Sequence, residues 1–301
     1  MPIRSSLPQD GFDYVIVGAG SAGCVLAARL TEDPGTKVCL IEAGPRDRSL
    51  FIHMPAALTM PIESKTWNWQ YVTGPEPHLN GRTIGQARGR GLGGSSSING
   101  MVWVRGHPGD YDAWAAEGLE GWSFADCLPY FKKMESYDGG ADPNRGGDGP
   151  LKITRSRADH PFYDAFLRAG EAYGLNVTPD YNSDQFEGLH VTQATIHDGR
   201  RQSTAVAYLH PAASRPNLTV LTGWRCDRIL LENGRATGVA LRSGTKRGEI
   251  RAGAEVILCA GAIGTPHLML LSGIGPADQL RASGVAVAHD LPGVGENLQD
   301  H

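Results

Sequence analysis

The fold is decided by the stretch FDYVIVGAGSAG, residues 12–23. Its apolar first half, Phe12–Val17, predicts a buried strand, and three glycines in the spacing Gly-x-Gly-x-x-Gly follow directly. Cys24–Leu30 carries small and apolar residues at helical spacing, and Lys37–Ile41 predicts a second strand that ends at Glu42. This order of strand, turn, helix and strand is the βαβ context in which such glycines bind a dinucleotide.

Each residue of the glycine motif has a separate physical role. Gly18 permits the tight turn, Gly20 lets the backbone approach a pyrophosphate, and Gly23 allows the helix to pack closely on the strand. The helix N-terminus offers free N–H groups and a partial positive charge to the phosphates. Glu42 can accept a hydrogen bond from a ribose hydroxyl and would repel a 2′-phosphate, so NADP is disfavoured. The motif leaves FAD and NAD as alternatives.

Composition and charge narrow the class of protein. The 301 residues are 41% hydrophobic and 20% charged with a formal net charge of −4, which argues against nucleic acid or an anionic membrane as the main partner. Five cysteines are scattered singly and the histidines lack metal-ligand spacing, so we expect reduced thiols and no metal site. Neither a secretory signal peptide nor an apolar run of about 18 residues is found. We therefore expect a cytoplasmic protein without a membrane span.

Beyond the βαβ unit the pattern predicts short elements separated by loops. Residues 44–88 are predicted to form a long irregular segment interrupted by prolines. Asn233-Gly234 is typical of a hairpin turn. Strands are predicted over Leu151–Thr154, Val191–Ile196, Leu218–Leu221, Asp227–Leu231, Thr237–Leu241 and Glu255–Ala260. Helices are predicted over Tyr111–Glu117, Phe124–Glu135, Pro161–Tyr173 (apolar face Phe162, Ala165, Phe166, Ala169) and Pro266–Leu271, and Ser203–Leu209 is predicted to start a further helix.

Three further stretches carry a family resemblance. They are GRGLGGSSSIN (residues 89–99, continuing through Trp103 and Gly106 to Asp112), GAIGTPHLMLLSGIG (261–275) and LPGVGENLQDH (291–301). The first two resemble the two signatures of the glucose–methanol–choline (GMC) oxidoreductases, and the sequence is nearest in character to the choline, sorbose and polyethylene glycol dehydrogenases of that family. The resemblance implies an α/β, Rossmann-like FAD-binding domain over 10–152 and 201–301. Residues 153–200 would begin an incomplete antiparallel-sheet substrate domain, whose remainder lies outside this sequence.

The resemblance also implies where FAD binds. Asn99, Gly100, Met101 and Val102 correspond to positions beside the isoalloxazine, and Cys226 to the strand at the adenine. Some relatives attach FAD covalently through a histidine where Ile98 stands here, so we expect non-covalent FAD. Trp67 and Trp69 either lie near the cofactor or pack within the irregular segment 44–88 and hold it in place. The remaining expected FAD-binding residues are Gly18, Gly20, Ser21, Ala22, Gly23, Glu42, Ala43, Trp67, Arg90, Gly93 and Gly94.

The implied reaction is oxidation of a small-molecule alcohol to an aldehyde or ketone by hydride transfer to flavin N5. The proton-accepting histidine of the family, with its His or Asn partner, is expected beyond His301, so no catalytic residue is assigned here. We accordingly expect the chain alone to lack turnover and to expose apolar surface. The alcohol and the electron acceptor, whether oxygen, a quinone or another group, stay open.

Other functions remain alternatives at this point. The same scaffold hosts hydroxynitrile lyases and a light-driven fatty-acid decarboxylase, so a lyase is one of them. A flavin-binding module without turnover is another. An NAD-dependent Rossmann dehydrogenase is disfavoured by the two long signatures.

Overall fold

In the computed structural model, residues 3–4, 7–8 and 11–299 are described, and they form two compact units. The first unit comprises the described residues up to Ile52, Ala57–Ile98 and those from Ser203 onward. The second unit comprises His53–Ala56 and Asn99–Gln202. Each unit is described by itself below.

The elements are numbered in chain order over the described residues. The strands are β1 (Ile3–Arg4), β2 (Phe12–Val17), β3 (Val38–Glu42), β4 (Tyr71–Val72), β5 (Gly85–Gln86), β6 (Glu135–Tyr137), β7 (Leu151–Arg155), β8 (Gln193–Ala194), β9 (Ile196–His197), β10 (Arg200–Arg201), β11 (Leu218–Thr222), β12 (Arg225–Glu232), β13 (Arg235–Ser243), β14 (Lys246–Leu258), β15 (Ile274–Gly275) and β16 (His289–Asp290). The helices are α1 (Ser21–Leu30), α2 (Leu50–His53), α3 (Thr59–Glu63), α4 (Pro108–Ala116), α5 (Phe124–Met134), α6 (Pro161–Ala172), α7 (His210–Ala212), α8 (Gly261–Leu271) and α9 (Ala277–Ala282). Short 3₁₀ turns cover Pro55–Ala57, Pro77–Leu79 and Gly94–Ser97, and a π-helical turn covers Ala205–Leu209.

The first unit is built on a seven-stranded sheet in the order β1-β11-β3-β2-β14-β13-β12. Strands β1, β11, β3 and β2 are parallel, whereas β12, β13 and the first part of β14 are antiparallel. The predicted α/β, Rossmann-like class is confirmed. Helix α1 buries Gly23, Cys24, Ala27 and Ala28, small residues that allow close packing on the strands.

Strand β14 is longer than the sequence predicts. It pairs antiparallel with β13 up to Arg251, shifts register between Ala252 and Glu255, and then pairs parallel with β2 through Leu258. The predicted strand Glu255–Ala260 is therefore only the apolar end of β14. The first half, from Lys246, was missed because charged side chains alternate with small residues there instead of forming an apolar run.

The hairpin between β12 and β13 confirms its predicted turn. Asn233 has φ 51° and Gly234 has φ 77°, so both central residues occupy the left-handed region. That combination belongs to the type I′ turn, whose twist matches the flanking strands.

The second unit has a smaller sheet, β6-β7-β8, and the helices α4, α5 and α6. The predicted strand Val191–Ile196 is wrong as one element, because the chain bends at Thr195 and divides it into β8 and β9. The predicted apolar face of α6 is exposed, with 71% of Phe162 and 56% of Phe166 accessible. Gly170 is the buried residue of that helix.

The boundaries of the two compact units differ from the boundaries of the predicted domains. Residues 99–152, predicted to belong with the cofactor domain, cluster with 153–202. The reason is that β6 pairs with β7, and Arg145 and Arg105 hydrogen-bond to groups on both sides of residue 152. The assignment of cofactor and substrate domains stays a prediction.

Candidate cofactor site

The glycine turn after β2 is closed by backbone contacts. Gly18 has φ 102° and donates its N–H to the Ile41 carbonyl at 2.8 Å. A Cβ atom on Gly18 would collide with the Cys259 carbonyl oxygen, and one on Gly23 would collide with the Gly18 carbonyl oxygen. Glycine is thus required at these two positions by the protein itself.

Gly20 differs from its neighbours in the motif. It lies at the N-cap of α1 with φ −79°, and a Cβ atom there would come no closer than 3.9 Å to other atoms of the first unit. The folded chain therefore has room for a side chain at Gly20. A ligand that packs on the bare backbone of the helix N-terminus explains the glycine better than internal packing does.

Glu42 closes β3 beside this turn. Its Oε2 accepts from the Ala19 N–H at 2.9 Å and its Oε1 from the Gly44 N–H at 2.8 Å. Burial raises the pKa of the Glu42 carboxyl, and the backbone donors of Gly44, Ala19 and Gly91 together with the charge of Arg90 oppose that rise. A carboxylate has about four lone-pair sites, so these three backbone donors leave one that can accept from a ribose hydroxyl.

The second glycine-rich stretch packs directly against the first. Gly93, with φ 86°, donates its N–H to the Ala19 carbonyl at 2.8 Å. A Cβ atom on Gly94 would lie 2.6 Å from the Gly20 Cα. Ser96 Oγ lies 3.1 Å from Thr204 Oγ1, which joins this stretch to a segment 108 residues away. Two motifs that are separate in sequence thus pack backbone against backbone.

Trp67 and Arg90 line a small cavity together with Leu92, Ser97 and Ile98. The backbone N–H of Arg90 donates to the Trp67 carbonyl at 2.7 Å. The Arg90 guanidinium lies 5.4 Å from the centroid of the Trp69 ring. The buried Nε1 of Trp67 and Nε of Arg90 find no hydrogen-bond acceptor among the described residues. Buried donors of this kind are rare in folded proteins, and acceptor atoms of a bound group would satisfy them.

Cys226 lies at the start of β12, at a register irregularity between Cys226 and Arg228. Burial raises the pKa of its thiol to about 12, so the thiol is protonated at neutral pH. The neighbouring Trp224 donates its N–H to the Glu42 carbonyl at 3.1 Å. The chain leading into Cys226 therefore lies next to Glu42, at the end of β3. The role of Cys226 itself stays a prediction.

Asn99, Gly100, Met101 and Val102 belong to the second unit, and they run beside β8. The Met101 carbonyl accepts from the Thr195 N–H at 2.8 Å, and Val102 bridges to Ala194. Asn99 and Gly100 are exposed, and so is 56% of Val102. The segment therefore offers open main chain along one side.

Sequence reasoning missed a contact between two distant residues of the first unit. His210 Nε2 lies 3.1 Å from Oδ1 of the buried Asp47, a pair separated by 163 residues for which no local pattern gives a signal. His107, by contrast, is explained by the fold of the second unit, since its Nδ1 accepts from the Gly109 N–H and caps α4. Among the described residues, no cluster of His, Cys, Asp and Glu has the composition of a metal site.

The comparisons with known proteins agree on one family. The family model described as GMC oxidoreductase matches residues 12–301. The chain belongs to the GMC oxidoreductase family. Members of this family are FAD-dependent enzymes that act on CH–OH donors, and FAD is the cofactor that the comparisons support.

The relatives show how much of such a protein is present. The chain is 50% identical over 289 residues to an oxygen-dependent choline dehydrogenase of Brucella anthropi, covering 96% of this chain and 52% of that one. It is 48% identical to the mitochondrial choline dehydrogenase of Mus musculus, covering 99% of this chain and 51% of the other. The crystal structure of pyridoxine 4-oxidase from Mesorbium loti superimposes with a TM-score of 0.92 at 40% identity, covering 97% of this chain and 57% of that one. The chain thus spans about half the length of the curated relatives it matches.

The first unit fits FAD by its own geometry. Bare backbone at the N-terminus of α1 suits a pyrophosphate, and Glu42 suits a ribose. The two buried donors of Trp67 and Arg90 suit a group rich in acceptor atoms.

No helix within the described ranges is both long and apolar enough to cross a membrane.

Proposed function

We propose that this chain binds FAD non-covalently and contributes the cofactor-holding part of an enzyme that oxidises a small alcohol to an aldehyde or ketone. The observation that supports it most directly is the free space at Gly20, at the N-terminus of α1, with Gly94 packed against it and Glu42 hydrogen-bonded to the same turn. Bound FAD supplies the two-electron acceptor for hydride from the alcohol carbon. Choline is the first alcohol to test, because the named relatives include choline dehydrogenases.

The residues of the chain would divide the cofactor among them. The amides at Ser21, Ala22 and Gly23 bind the pyrophosphate, which the positive end of α1 favours electrostatically. Glu42 and Ala43 hold the ribose side. Trp67 Nε1 and Arg90 Nε donate to acceptor atoms of FAD, beside the glycine turn of Gly93 and Gly94. From the family resemblance we assign the isoalloxazine to Asn99–Val102 and the adenine to the main chain at Cys226.

Ile98 bears on how FAD is attached. Its side chain is buried and lines the same small cavity as Arg90 and Leu92. A hydrocarbon side chain cannot form the bond that a histidine forms at this position in some relatives, so FAD released by acid precipitation should appear in the supernatant. Flavin that stays with the pellet would contradict non-covalent binding.

A cytoplasmic location also stays a prediction, and cell fractionation tests it.

The first experiment separates cofactor binding from folding. The chain is purified with added FAD, desalted, and its flavin absorption is compared with that of Gly20→Ala. Because a Cβ atom at Gly20 has 3.9 Å of clearance within the protein, the variant should keep its circular dichroism and melting temperature. It should nevertheless lose FAD affinity on the order of 10-fold or more, because the methyl group occupies space that the pyrophosphate needs.

Gly74→Ala is the matched control, since a Cβ atom there meets nothing within 4 Å and Gly74 lies outside the proposed site. It should retain FAD like the parent chain. A folded parent chain that stays colourless, or a Gly20→Ala variant that binds FAD normally, would count against the proposed site.

A further inference from the structure

The turn at Met101 is an unusual feature of the second unit. Met101 is a non-glycine residue with φ 63° and a side chain that is only 4% exposed. Its N–H donates to Asn99 Oδ1 at 3.1 Å, and its carbonyl accepts from the Thr195 N–H at 2.8 Å. A left-handed conformation costs about 1–2 kcal/mol for such a residue. Surrounding contacts must therefore hold it.

The turn exposes main chain on its outer side. Asn99 and Gly100 are exposed while Met101 is buried, and a Cβ atom at Gly100 would meet nothing within 4 Å. The left-handed residue thus directs its side chain inward and leaves the backbone of Asn99 and Gly100 open. A flat ligand can lie against a surface of this kind without meeting side chains.

Arg201 holds the turn from the protein side. Its side chain is fully buried, and its Nη1 donates to both the Asn99 carbonyl at 2.7 Å and Asn99 Oδ1 at 2.8 Å. Burial lowers the pKa of Arg201 to about 10, so the group still carries its charge at neutral pH. Hydrogen bonds from a charged donor are roughly twice as strong as neutral ones.

Arg201 and Thr195 reach the turn from one short hairpin. Strand β10 pairs with β9 so that Arg201 lies opposite Ile196, and the Gln202 N–H donates to the Thr195 carbonyl at 2.8 Å. The hairpin therefore contacts the turn twice, through Arg201 at Asn99 and through Thr195 at Met101. A displacement at either contact would change the path of the main chain at Gly100.

We propose that Arg201 is a positioning residue that fixes Asn99, and through it the left-handed turn at Met101, in the conformation required by the flavin, an inference that rests on the proposed FAD site. Since Arg201 acts through Asn99, the two side chains should be coupled. Its buried charge beside the turn also favours the reduced, more negative form of the cofactor.

The test uses the FAD-loaded protein and Arg201→Gln. We expect the FAD dissociation constant to rise on the order of 10-fold, a factor that corresponds to the free energy of one charge-assisted hydrogen bond. We also expect the visible absorption bands of the flavin to shift and its reduction potential to fall. Arg201→Lys, which keeps the charge, should restore the potential in part.

Arg200→Gln is the matched control, because Arg200 is the exposed neighbour on the same strand and its loss changes the net charge equally. It should leave affinity, spectrum and potential unchanged. Asn99→Ala should weaken FAD binding, and adding it to Arg201→Gln should cost less than the sum of the two. If Arg201→Gln fails to fold, Arg201→Lys decides instead, and a flavin spectrum and potential equal to the parent's would then overturn the inference.

The outcomes separate the two proposals. A parent chain that folds but holds no FAD defeats the proposed function and this inference with it. A parent that holds FAD, together with an Arg201→Gln variant that melts earlier yet keeps the parent's flavin spectrum and potential, overturns only the inference. Additive effects of Arg201→Gln and Asn99→Ala would overturn it as well.

Discussion

The two compact units are held together by different kinds of side chain. Among the described residues, the largest fully buried side chains of the first unit are apolar: Ile16, Leu40, Ile41, Ile52, Leu92, Leu209 and Leu221. Those of the second unit include Glu135, Arg145, Gln193 and Arg201. The first unit therefore relies mainly on apolar packing, whereas the second unit uses buried charge to fix particular main-chain segments.

Glu135 is the centre of the buried charge in the second unit. Its Oε1 accepts from Arg105 Nη2 at 2.6 Å and from Arg145 Nε at 2.8 Å, and its Oε2 accepts from Trp103 Nε1 at 2.8 Å. Arg145 also pairs with Asp180 at 2.9 Å. Trp103 follows the proposed flavin segment 99–102, so this network fixes the end of that segment opposite to Arg201.

The largest expected effect comes from breaking this network. Glu135→Ala leaves two buried guanidinium groups without their main counter-charge and should lower the free energy of unfolding by about 3–5 kcal/mol. Urea unfolding monitored by circular dichroism measures it. Glu232→Gln is the control, because Glu232 makes an exposed ion pair with Arg251 whose loss should be barely measurable. Equal losses for both variants would contradict the contrast drawn between buried and exposed charge.

A smaller effect is expected from the backbone packing of the first unit. Gly18→Ala forces an L side chain to φ 102° and drives its Cβ into the Cys259 carbonyl oxygen. The unfolding free energy should fall by about 2–4 kcal/mol, part from the backbone conformation and part from the displaced strand end. Thermal unfolding of the FAD-free protein measures it, with Gly74→Ala expected within about 0.5 kcal/mol of the parent. A Gly18→Ala variant as stable as the parent would mean that the turn can relax.

The smallest effect concerns the single buried carboxyl at the glycine turn. Because the folded-state pKa of Glu42 lies above its ordinary value of 4.5, the folded protein binds the proton more tightly than the unfolded chain. Its contribution to stability is present below pH 4.5 and is lost as the pH rises through the folded pKa. The difference in unfolding free energy between Glu42→Gln and the parent, without FAD, should therefore shift in favour of the variant from pH 4 to pH 7. A difference that is constant with pH, or shifts the other way, would contradict the direction of the pKa.

Much of the first unit follows from local pattern. The strand Phe12–Val17 and the apolar run into Glu42 are buried parallel strands, as their residues predict. The type I′ turn at Asn233-Gly234 follows from its dipeptide. The failures lie where a strand lacks an apolar run or where apolar side chains are exposed. Lys246 opens a long strand without an apolar run, and Phe162 and Phe166 form a helical face that is exposed in the folded unit.

By itself, the sequence determined the βαβ unit, because glycine spacing and apolar periodicity are properties of neighbouring residues. Its resemblance to the two GMC signatures indicated the family and the cofactor class. Only the tertiary structure decided which distant groups meet. Cys259 closes on Gly18, Thr204 meets Ser96 and Arg201 meets Asn99 because strand order and a hairpin bring these segments together. No pattern within one segment encodes such a pairing. It depends on the path of the chain between the two residues, and that path is settled by the packing of the whole unit.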